Sequence, residues 1–143
     1  MDTNQSTATP PADPASEEQG LRMLLVEDNP INQKVAVRFL AKEGLKTDVA
    51  NNGQEALDLF AKQTYDIVLM DIQMPVMDGI TATENIRRIY GKERPYIIAV
   101  TANATPSDRQ RCMDAGMNDF VTKPIDAVKL IGAITKSGIF QRH

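Results

Sequence analysis

The pattern of apolar and polar positions along this chain predicts alternating short strands and amphipathic helices. Short continuous apolar runs bounded by turn residues are typical of strands buried on both faces of a parallel sheet. The predicted strands are 22–26, 46–50, 66–71, 96–101 and 118–122. Each run is followed by a segment with apolar residues at helical spacing, and the predicted helices are 30–43, 54–63, 80–90, 105–115 and 126–136.

Capping residues support several of these helix boundaries. Asn29 followed by Pro30, and Thr105 followed by Pro106, are typical of a helix N-cap and first helical position. Gly44 is placed where the first helix would end.

Strands that alternate with helices predict an α/β fold: a doubly wound, five-stranded parallel sheet with right-handed crossovers and five helices on its two faces. The common flavodoxin-like strand order is 2-1-3-4-5. In that order the carboxyl ends of the first, third and fourth strands lie side by side, and a ligand site is expected there.

The ends of the chain differ from its middle. Residues 1–20 are rich in Pro, Ser, Thr and acidic residues and have no apolar period, so they cannot bury enough surface to offset the entropy of ordering. We interpret them as a disordered tail or interdomain linker, 21–137 as one folded domain, and 138–143 as a C-terminal tail. No apolar run could span a bilayer and no signal-peptide pattern is present. We therefore expect a cytoplasmic domain without membrane contact, in a parent protein that could itself be membrane-anchored.

Composition narrows the function classes. The formal net charge of -3 argues against nucleic acid as a direct partner, because no basic stripe is available for phosphates. The single cysteine, Cys112, falls in a helical pattern, and we expect it to be a packing or surface residue rather than a reactive one. The only histidine is His143, so a metal site built on histidines or a Ser-His-Asp triad is not expected.

The candidate chemistry lies at the ends of the predicted strands. The third strand ends on Asp71, Glu27 and Asp28 follow the first, Thr101 ends the fourth, and Lys123 follows the fifth. In the predicted topology all of these residues converge on one edge of the sheet. Three neighbouring carboxylates stay ionised together only if a cation compensates their charge, and oxygen ligands with room for water suit Mg²⁺.

The expected roles in metal binding differ among the acids. Asp28 and Asp71 are the predicted direct ligands, the backbone carbonyl of Gln73 is a third, and Glu27 would act through a water.

A metal-bound carboxylate beside an ammonium and a hydroxyl is suited to phosphoryl transfer. Asp71 would attack phosphorus in line and become an aspartyl phosphate. Mg²⁺ and the Lys123 ammonium would take up charge on the phosphoryl oxygens, and the Thr101 hydroxyl would donate to another of them.

The same residues occur within motifs that resemble the receiver domain of two-component response regulators. The motifs are Val-Glu-Asp-Asn at 26–29, Met-Asp-Ile-Gln-Met-Pro-Val-Met-Asp-Gly at 70–79, Val-Thr-Ala at 100–102 and Thr-Lys-Pro-Ile at 122–125. The resemblance covers about 21–137. Asn-Pro-Ile-Asn at 29–32 is most similar to receivers attached to hybrid sensor histidine kinases.

The resemblance implies a role for each position. It makes Asp71 the phosphoacceptor, Glu27 and Asp28 the acidic pair, and Lys123 the phosphate-binding lysine, with a cis peptide bond between Lys123 and Pro124.

Two further pairs of roles follow from the resemblance. Thr101 is the switch hydroxyl, and Phe120 is the switch aromatic, whose ring moves when Thr101 moves toward the phosphoryl group. Gln73 and Asn103 are expected to tune hydrolysis of the phosphorylated form.

The first predicted helix carries more apolar residues than one face can bury. We hypothesise that Ile31 and Val37 form a docking patch for a histidine kinase or histidine phosphotransfer domain; scattered surface apolar residues are an equal alternative. We expect a monomer.

The predicted function is therefore that of a phosphoacceptor in a phosphorelay, most similar to the C-terminal receiver of a hybrid histidine kinase. As an isolated domain it would not be an enzyme, although it would assist its own phosphorylation and dephosphorylation. A free-standing regulator and a binding-only receiver remain alternatives.

A hydrolase of the haloacid dehalogenase type is disfavoured because Gln73 stands where its second Asp would be. An FMN module is disfavoured because Glu27 and Asp28 would repel a phosphate.

Overall fold

The computed structural model describes residues 21–73, 77–92, 94–102 and 105–139, in which strands and helices alternate. The strands are β1 (Met23–Val26), β2 (Thr47–Ala50), β3 (Ile67–Asp71), β4 (Tyr96–Thr101) and β5 (Asp119–Thr122). The helices are α1 (Pro30–Lys42), α2 (Gly53–Phe60), α3 (Gly79–Tyr90), α4 (Pro106–Ala115) and α5 (Ala127–Lys136). The predicted tail at 1–20 lies outside the described residues.

The strands form one parallel sheet in the order β2-β1-β3-β4-β5, which confirms the predicted order 2-1-3-4-5. Val26 pairs with Met70, and Asp71 pairs with Val100. The carboxyl ends of β1, β3 and β4 therefore lie next to each other at one edge of the sheet.

The central strands are apolar up to their carboxyl ends, where β3 ends on Asp71 and β4 on Thr101, because helices cover both faces of the sheet. All residues of β1 and β3 are buried. Alternate strand residues point to opposite faces, and they divide the core into two clusters. Leu24 and Met70 belong to the cluster that includes Ile86 of α3, whereas Met23 and Leu69 belong to the cluster that includes Leu40, Leu130 and Ile134 of α1 and α5.

The predicted caps set most helix boundaries. The Asn29 side chain accepts hydrogen bonds from the N–H groups of Ile31 (2.8 Å) and Asn32 (3.2 Å). The Thr105 hydroxyl accepts one from the N–H of Asp108 (3.1 Å). Orphan donors in the first turn are thus satisfied by side chains.

The end of α2 differs from the prediction, which placed it at residue 63. The helix ends at Phe60, and Gln63 lies in the turn that follows. Its side-chain amide donates to Asp48 and to the Tyr65 hydroxyl, both at 2.7 Å. These tertiary partners favour the earlier end, and helical spacing in the sequence does not reveal them.

Cys112 is 2% exposed and packs in the core. Of the two expected environments, packing or surface, the structure shows packing, and burial raises the pKa of the thiol. Within the part of the chain that the structure describes, no helix combines the length and the apolar character needed to cross a membrane.

Candidate functional site

Three carboxylates meet at the carboxyl edge of the sheet. Since Val26 pairs with Met70, the next residues, Glu27 and Asp71, are neighbours at the ends of β1 and β3. Both are 1% exposed, whereas Asp28 is exposed to solvent. One carboxylate oxygen from each of the three residues lies within 4.8 Å of the other two. The structure therefore brings together the acids that the sequence placed at separate strand ends.

Lys123 is the ammonium group that faces these acids. Its Nζ lies 3.1 Å from Oδ2 of Asp71 and 3.4 Å from Oε1 of Glu27. Lys123 directly follows β5, and its backbone is held in place because its N–H donates to the carbonyl of Thr101, at the end of β4, at 2.7 Å. The Lys123–Pro124 peptide bond is cis, as the resemblance implies.

The pKa values of these groups show their mutual influence. Burial raises the pKa of the Glu27 carboxyl, and the nearby Asp71 charge adds to this, against the hydrogen bond from the Asn29 N–H and the Lys123 charge. Burial alone would lower the pKa of Lys123, but its hydrogen bond to Asp71 and the charges of Asp71 and Glu27 raise it overall. Among the described residues, Lys123 pairs with two of the three neighbouring carboxylates, so the acids outnumber the ammonium group.

The donor set fits a hard divalent cation. Oε1 of Glu27 is buried, forms an ion pair with Lys123 and has no hydrogen-bond donor among the described residues. Asp28 is open to solvent and offers a further carboxylate to a hydrated ion. Mg²⁺ prefers oxygen ligands and keeps several waters. The residues present therefore suit Mg²⁺ better than a soft metal.

Gln73 lies beside Asp71 and at the protein surface. Its N–H donates to Oδ1 of Asp71 at 2.9 Å, and the residue is exposed. The hydrogen bond and the Lys123 ion pair use different oxygens of the same carboxylate. Asn103, the second residue expected to tune hydrolysis, lies outside the described residues.

The predicted switch residues lie on neighbouring strands. Thr101 ends β4 and is 2% exposed, and Phe120 of β5 is half-buried against the core. The guanidinium carbon of Arg109, on α4, lies 4.1 Å from the centroid of the Phe120 ring. Phe120 also lines a groove of about 550 Å³ between α4, β5 and α5. The sequence prediction did not include Arg109, because the contact between a helix side chain and a strand side chain depends on how α4 packs beside β5.

The two predicted docking residues have different environments. Ile31 is 71% exposed, whereas Val37 is half-buried and packs against the core. Val128, in the first turn of α5, is 79% exposed and was not predicted. The sequence does contain a signal for this exposure. Val128 is the second residue of α5, after the cap Asp126, and lies before the buried residues of that helix.

Comparisons with known proteins agree with this fold. Residues 23–135 match the sequence model of the response regulator receiver domain. Over 121 residues the chain is 41% identical to hybrid signal transduction histidine kinase K of Dictyostelium discoideum. That match covers 80% of this chain but only 10% of the kinase, so the chain spans a small part of this relative.

Two solved receiver domains are also similar. One belongs to a sensor histidine kinase of Pseudomonas aeruginosa and has a magnesium ion in its active site cleft; it is 40% identical, with a TM-score of 0.75 over 82% of this chain and 98% of that chain. The other is from a response regulator of Saccharomyces cerevisiae, in complex with a histidine phosphotransfer protein. It is 34% identical, with a TM-score of 0.78 over 86% of this chain and 92% of that chain.

Proposed function

The chain belongs to the response regulator receiver domain family, and on this basis we propose that it accepts a phosphoryl group on Asp71 in a two-component phosphorelay. The observation that carries the proposal is the environment of this carboxylate. Asp71 is buried at a strand end, with the Lys123 ammonium at 3.1 Å from Oδ2 and two further acids within 4.8 Å.

The phosphoryl group would come from a phosphohistidine. A carboxylate oxygen of Asp71 forms a bond to phosphorus while the bond from phosphorus to the histidine nitrogen breaks, and the electron pair leaves with that nitrogen. Lys123 and the N–H of Gln73 hold the carboxylate in place through its two oxygens. Afterwards the Lys123 ammonium neutralises charge on the transferred group, and the Thr101 hydroxyl donates to it.

The acids define where a cation would bind. Asp28 and Asp71 would ligate Mg²⁺ directly, with the Gln73 carbonyl, and Glu27 would act through a water. When bound, the ion would neutralise charge on the phosphoryl oxygens. The receiver of the Pseudomonas aeruginosa kinase, with magnesium in its cleft, supports this assignment by similarity.

Phosphorylation of Asp71 would change the protein surface through movements of Thr101 and Phe120. Movement of Thr101 toward the phosphoryl group would free space for the Phe120 ring, which lies on the adjacent strand at the groove between α4 and α5. Gln73 and Asn103 would tune hydrolysis. The domain would therefore act as a switch that assists its own phosphorylation and dephosphorylation, without being an enzyme toward other molecules.

The donor would be a histidine kinase or a histidine phosphotransfer domain. It would dock on α1 at the exposed Ile31 and at Val37, which is half-buried on the same helix. The similarity to a hybrid kinase and to a receiver in complex with a phosphotransfer protein supports this choice. The chain would be the C-terminal receiver of a hybrid kinase, monomeric and cytoplasmic. A free-standing regulator is the alternative. A binding-only receiver is disfavoured because Lys123 pairs with Asp71 and Glu27, and the three acids lie within 4.8 Å of one another.

Intact mass spectrometry tests the acceptor role. Incubation with acetyl phosphate and Mg²⁺ should add one phosphoryl group to the chain, and EDTA or Asp71→Asn should abolish the adduct. Asp58→Asn is the matched control, because Asp58 is exposed on α2 away from the site. An adduct that persists in Asp71→Asn would contradict the assignment.

The same assay with a phosphorylated histidine phosphotransfer protein as donor examines docking. Ile31→Ser should slow transfer from this protein and leave phosphorylation by acetyl phosphate unchanged. Val37 is left intact because it contacts the core. Equal rates for wild type and Ile31→Ser with the protein donor would remove the docking proposal and leave the acceptor role of Asp71 standing.

A further inference from the structure

One side chain connects the acidic pair to a second loop at the same edge of the sheet. Gln33 lies on α1 and is half-buried. Its Nε2 donates one hydrogen bond to the backbone carbonyl of Glu27 at 2.6 Å and another to Oδ1 of Asn51 at 2.8 Å. Both donor positions of the amide are therefore used, one on each loop.

The partner on the second loop is itself held in place. The backbone N–H and the side-chain Nδ2 of Asn51 donate to Oε1 of Glu55, at 2.8 Å and 3.0 Å. The N–H of Glu55 in turn donates to the side chain of the α2 cap, Asn52, at 2.9 Å. Because Nδ2 of Asn51 is directed to Glu55, its Oδ1 is left to accept from Gln33. The first turn of α2 thus anchors the Gln33 amide.

The carbonyl that Gln33 binds belongs to the peptide unit between Glu27 and Asp28. On the other side of Glu27, its N–H donates to the carbonyl of Ala50 at 3.0 Å. With both flanking peptide groups hydrogen-bonded, the direction in which Asp28 leaves β1 is fixed. Rotation of the Glu27–Asp28 peptide would move the Asp28 carboxylate relative to Asp71.

From this geometry we propose that Gln33, anchored by Asn51, is a positioning residue that sets the affinity of the carboxylate site for Mg²⁺. The proposal rests on the cation role of Asp28 and Asp71 described above. It adds a determinant outside the carboxylates themselves, since the Gln33 side chain bonds to the backbone carbonyl of Glu27 and to Asn51, not to a carboxylate, among the described residues.

Calorimetric titration of the chain with MgCl₂ tests this proposal. Gln33→Met keeps the length and helix preference of the side chain and removes the amide. It should weaken Mg²⁺ binding about three- to tenfold, the effect of losing the hydrogen bond that holds the Glu27 carbonyl. Asn51→Ala, at an exposed position, should weaken it to a similar degree. The double variant should be no weaker than Gln33→Met, because both changes break the same connection.

The control is Gln54→Ala, since Gln54 is exposed on α2 and, within the described part of the chain, its side chain bonds to Asp58 of the same helix. Unfolding measured in EDTA separates a structural role from positioning, because a purely structural residue would change that stability and leave Mg²⁺ affinity unchanged. Unchanged affinity in Gln33→Met and Asn51→Ala, or an equal loss in Gln54→Ala, would overturn the proposal. Failure of the acceptor role would show separately, as an adduct that survives Asp71→Asn.

Discussion

At the scale of residues, the site combines groups that oppose one another in the absence of a cation. Glu27 and Asp71 are both 1% exposed and share the Lys123 ammonium. Burying a carboxylate is costly unless it is paired, and two carboxylates with one ammonium leave part of that cost uncompensated. Asp28 adds a third negative charge at the solvent side. A divalent cation at this position should therefore stabilise the fold as well as support phosphoryl transfer.

We predict that Mg²⁺ raises the free energy of unfolding of the wild type and that Asp28→Ala removes most of this gain. At a free Mg²⁺ concentration about 100 times the dissociation constant, the expected gain is about 3 kcal/mol. In EDTA the variant should be at least as stable as the wild type, because one repulsive charge is gone. Urea unfolding followed by circular dichroism, with Mg²⁺ and with EDTA, measures both quantities.

The control for this prediction is Asp58→Ala, which removes an exposed acid away from the site. It should keep the full response to Mg²⁺. If Asp28→Ala kept the wild-type response, Asp28 would not be a ligand.

The residues whose convergence was predictable from strand order share one property: each lies at or shortly after the end of a strand. Asp71, Asp28 and Lys123 could be brought together by strand order alone, since parallel strands deliver their carboxyl ends to one edge. Gln33 and Arg109 could not, because their roles depend on side-chain contacts between elements: Gln33 bonds to Asn51 in the loop before α2, and Arg109 of α4 lies over the Phe120 ring of β5.

At the scale of elements, the start of α3 is pressed against the strand that carries Asp71. Gly79 is the first residue of α3. A Cβ atom at this position would lie 2.3 Å from the carbonyl oxygen of Asp71 and 2.8 Å from Cα of Ile72. Only a residue without a side chain permits this approach.

We predict that Gly79→Ala lowers the free energy of unfolding by about 1–3 kcal/mol, the usual cost of overpacking. The backbone after β3 would have to move, so phosphorylation by acetyl phosphate should also slow. Urea unfolding and the rate of adduct formation by mass spectrometry measure these effects.

Gly132→Ala, in α5, is the matched control because a Cβ there meets no atom within 4 Å. It should raise stability by about 0.5–1 kcal/mol, as expected for replacing glycine inside a helix. Equal stabilities for Gly79→Ala and the wild type would show that the junction between β3 and α3 is not tightly packed.

The existence and type of each element were predictable. The boundaries lie within one residue of the prediction, except the end of α2, which was predicted at 63 and lies at Phe60. Strong apolar runs and caps such as Asn29 act locally, so they can be recognised in the sequence. The end of α2 depends on Gln63, whose amide bonds to Asp48 and Tyr65 after the chain has folded back on itself.

At the scale of the whole molecule, the two edges of the sheet are built differently. The carboxyl edge gathers like charges around Lys123. Near the opposite edge, the Tyr65 hydroxyl donates to Asp48 at 2.7 Å, and the Gln63 amide donates to both groups. The side chains of Tyr65, Asp48 and Gln63 form a hydrogen-bonded network here, whereas the site gathers carboxylates around Lys123. Strand order predicts which edge of the sheet carries the site. The hydrogen-bonded network near the other edge could not be predicted, because it depends on the positions of the side chains in the folded protein.

This network makes a prediction for alkaline pH. Burial, followed by the hydrogen bond to Asp48, raises the pKa of Tyr65 to about 12, above the value of about 10 expected for an unfolded chain. The folded state therefore holds the phenolic proton more tightly. The resulting stability is complete below about pH 10 and is lost as the pH rises through about 12.

We expect the wild type to lose about 2–3 kcal/mol more stability between pH 9 and pH 12 than Tyr65→Phe, which corresponds to a shift of about two pKa units. The variant keeps the ring and its edge contact with Phe60, at 5.2 Å between centroids, and removes only the titrating hydroxyl. Urea unfolding at a series of pH values provides the two curves. Tyr90→Phe, at a more exposed tyrosine, should follow the wild-type curve. Parallel curves for the wild type and Tyr65→Phe would contradict the prediction. They would mean that the folded and unfolded chains bind the Tyr65 proton equally tightly, and such a proton cannot make unfolding depend on pH.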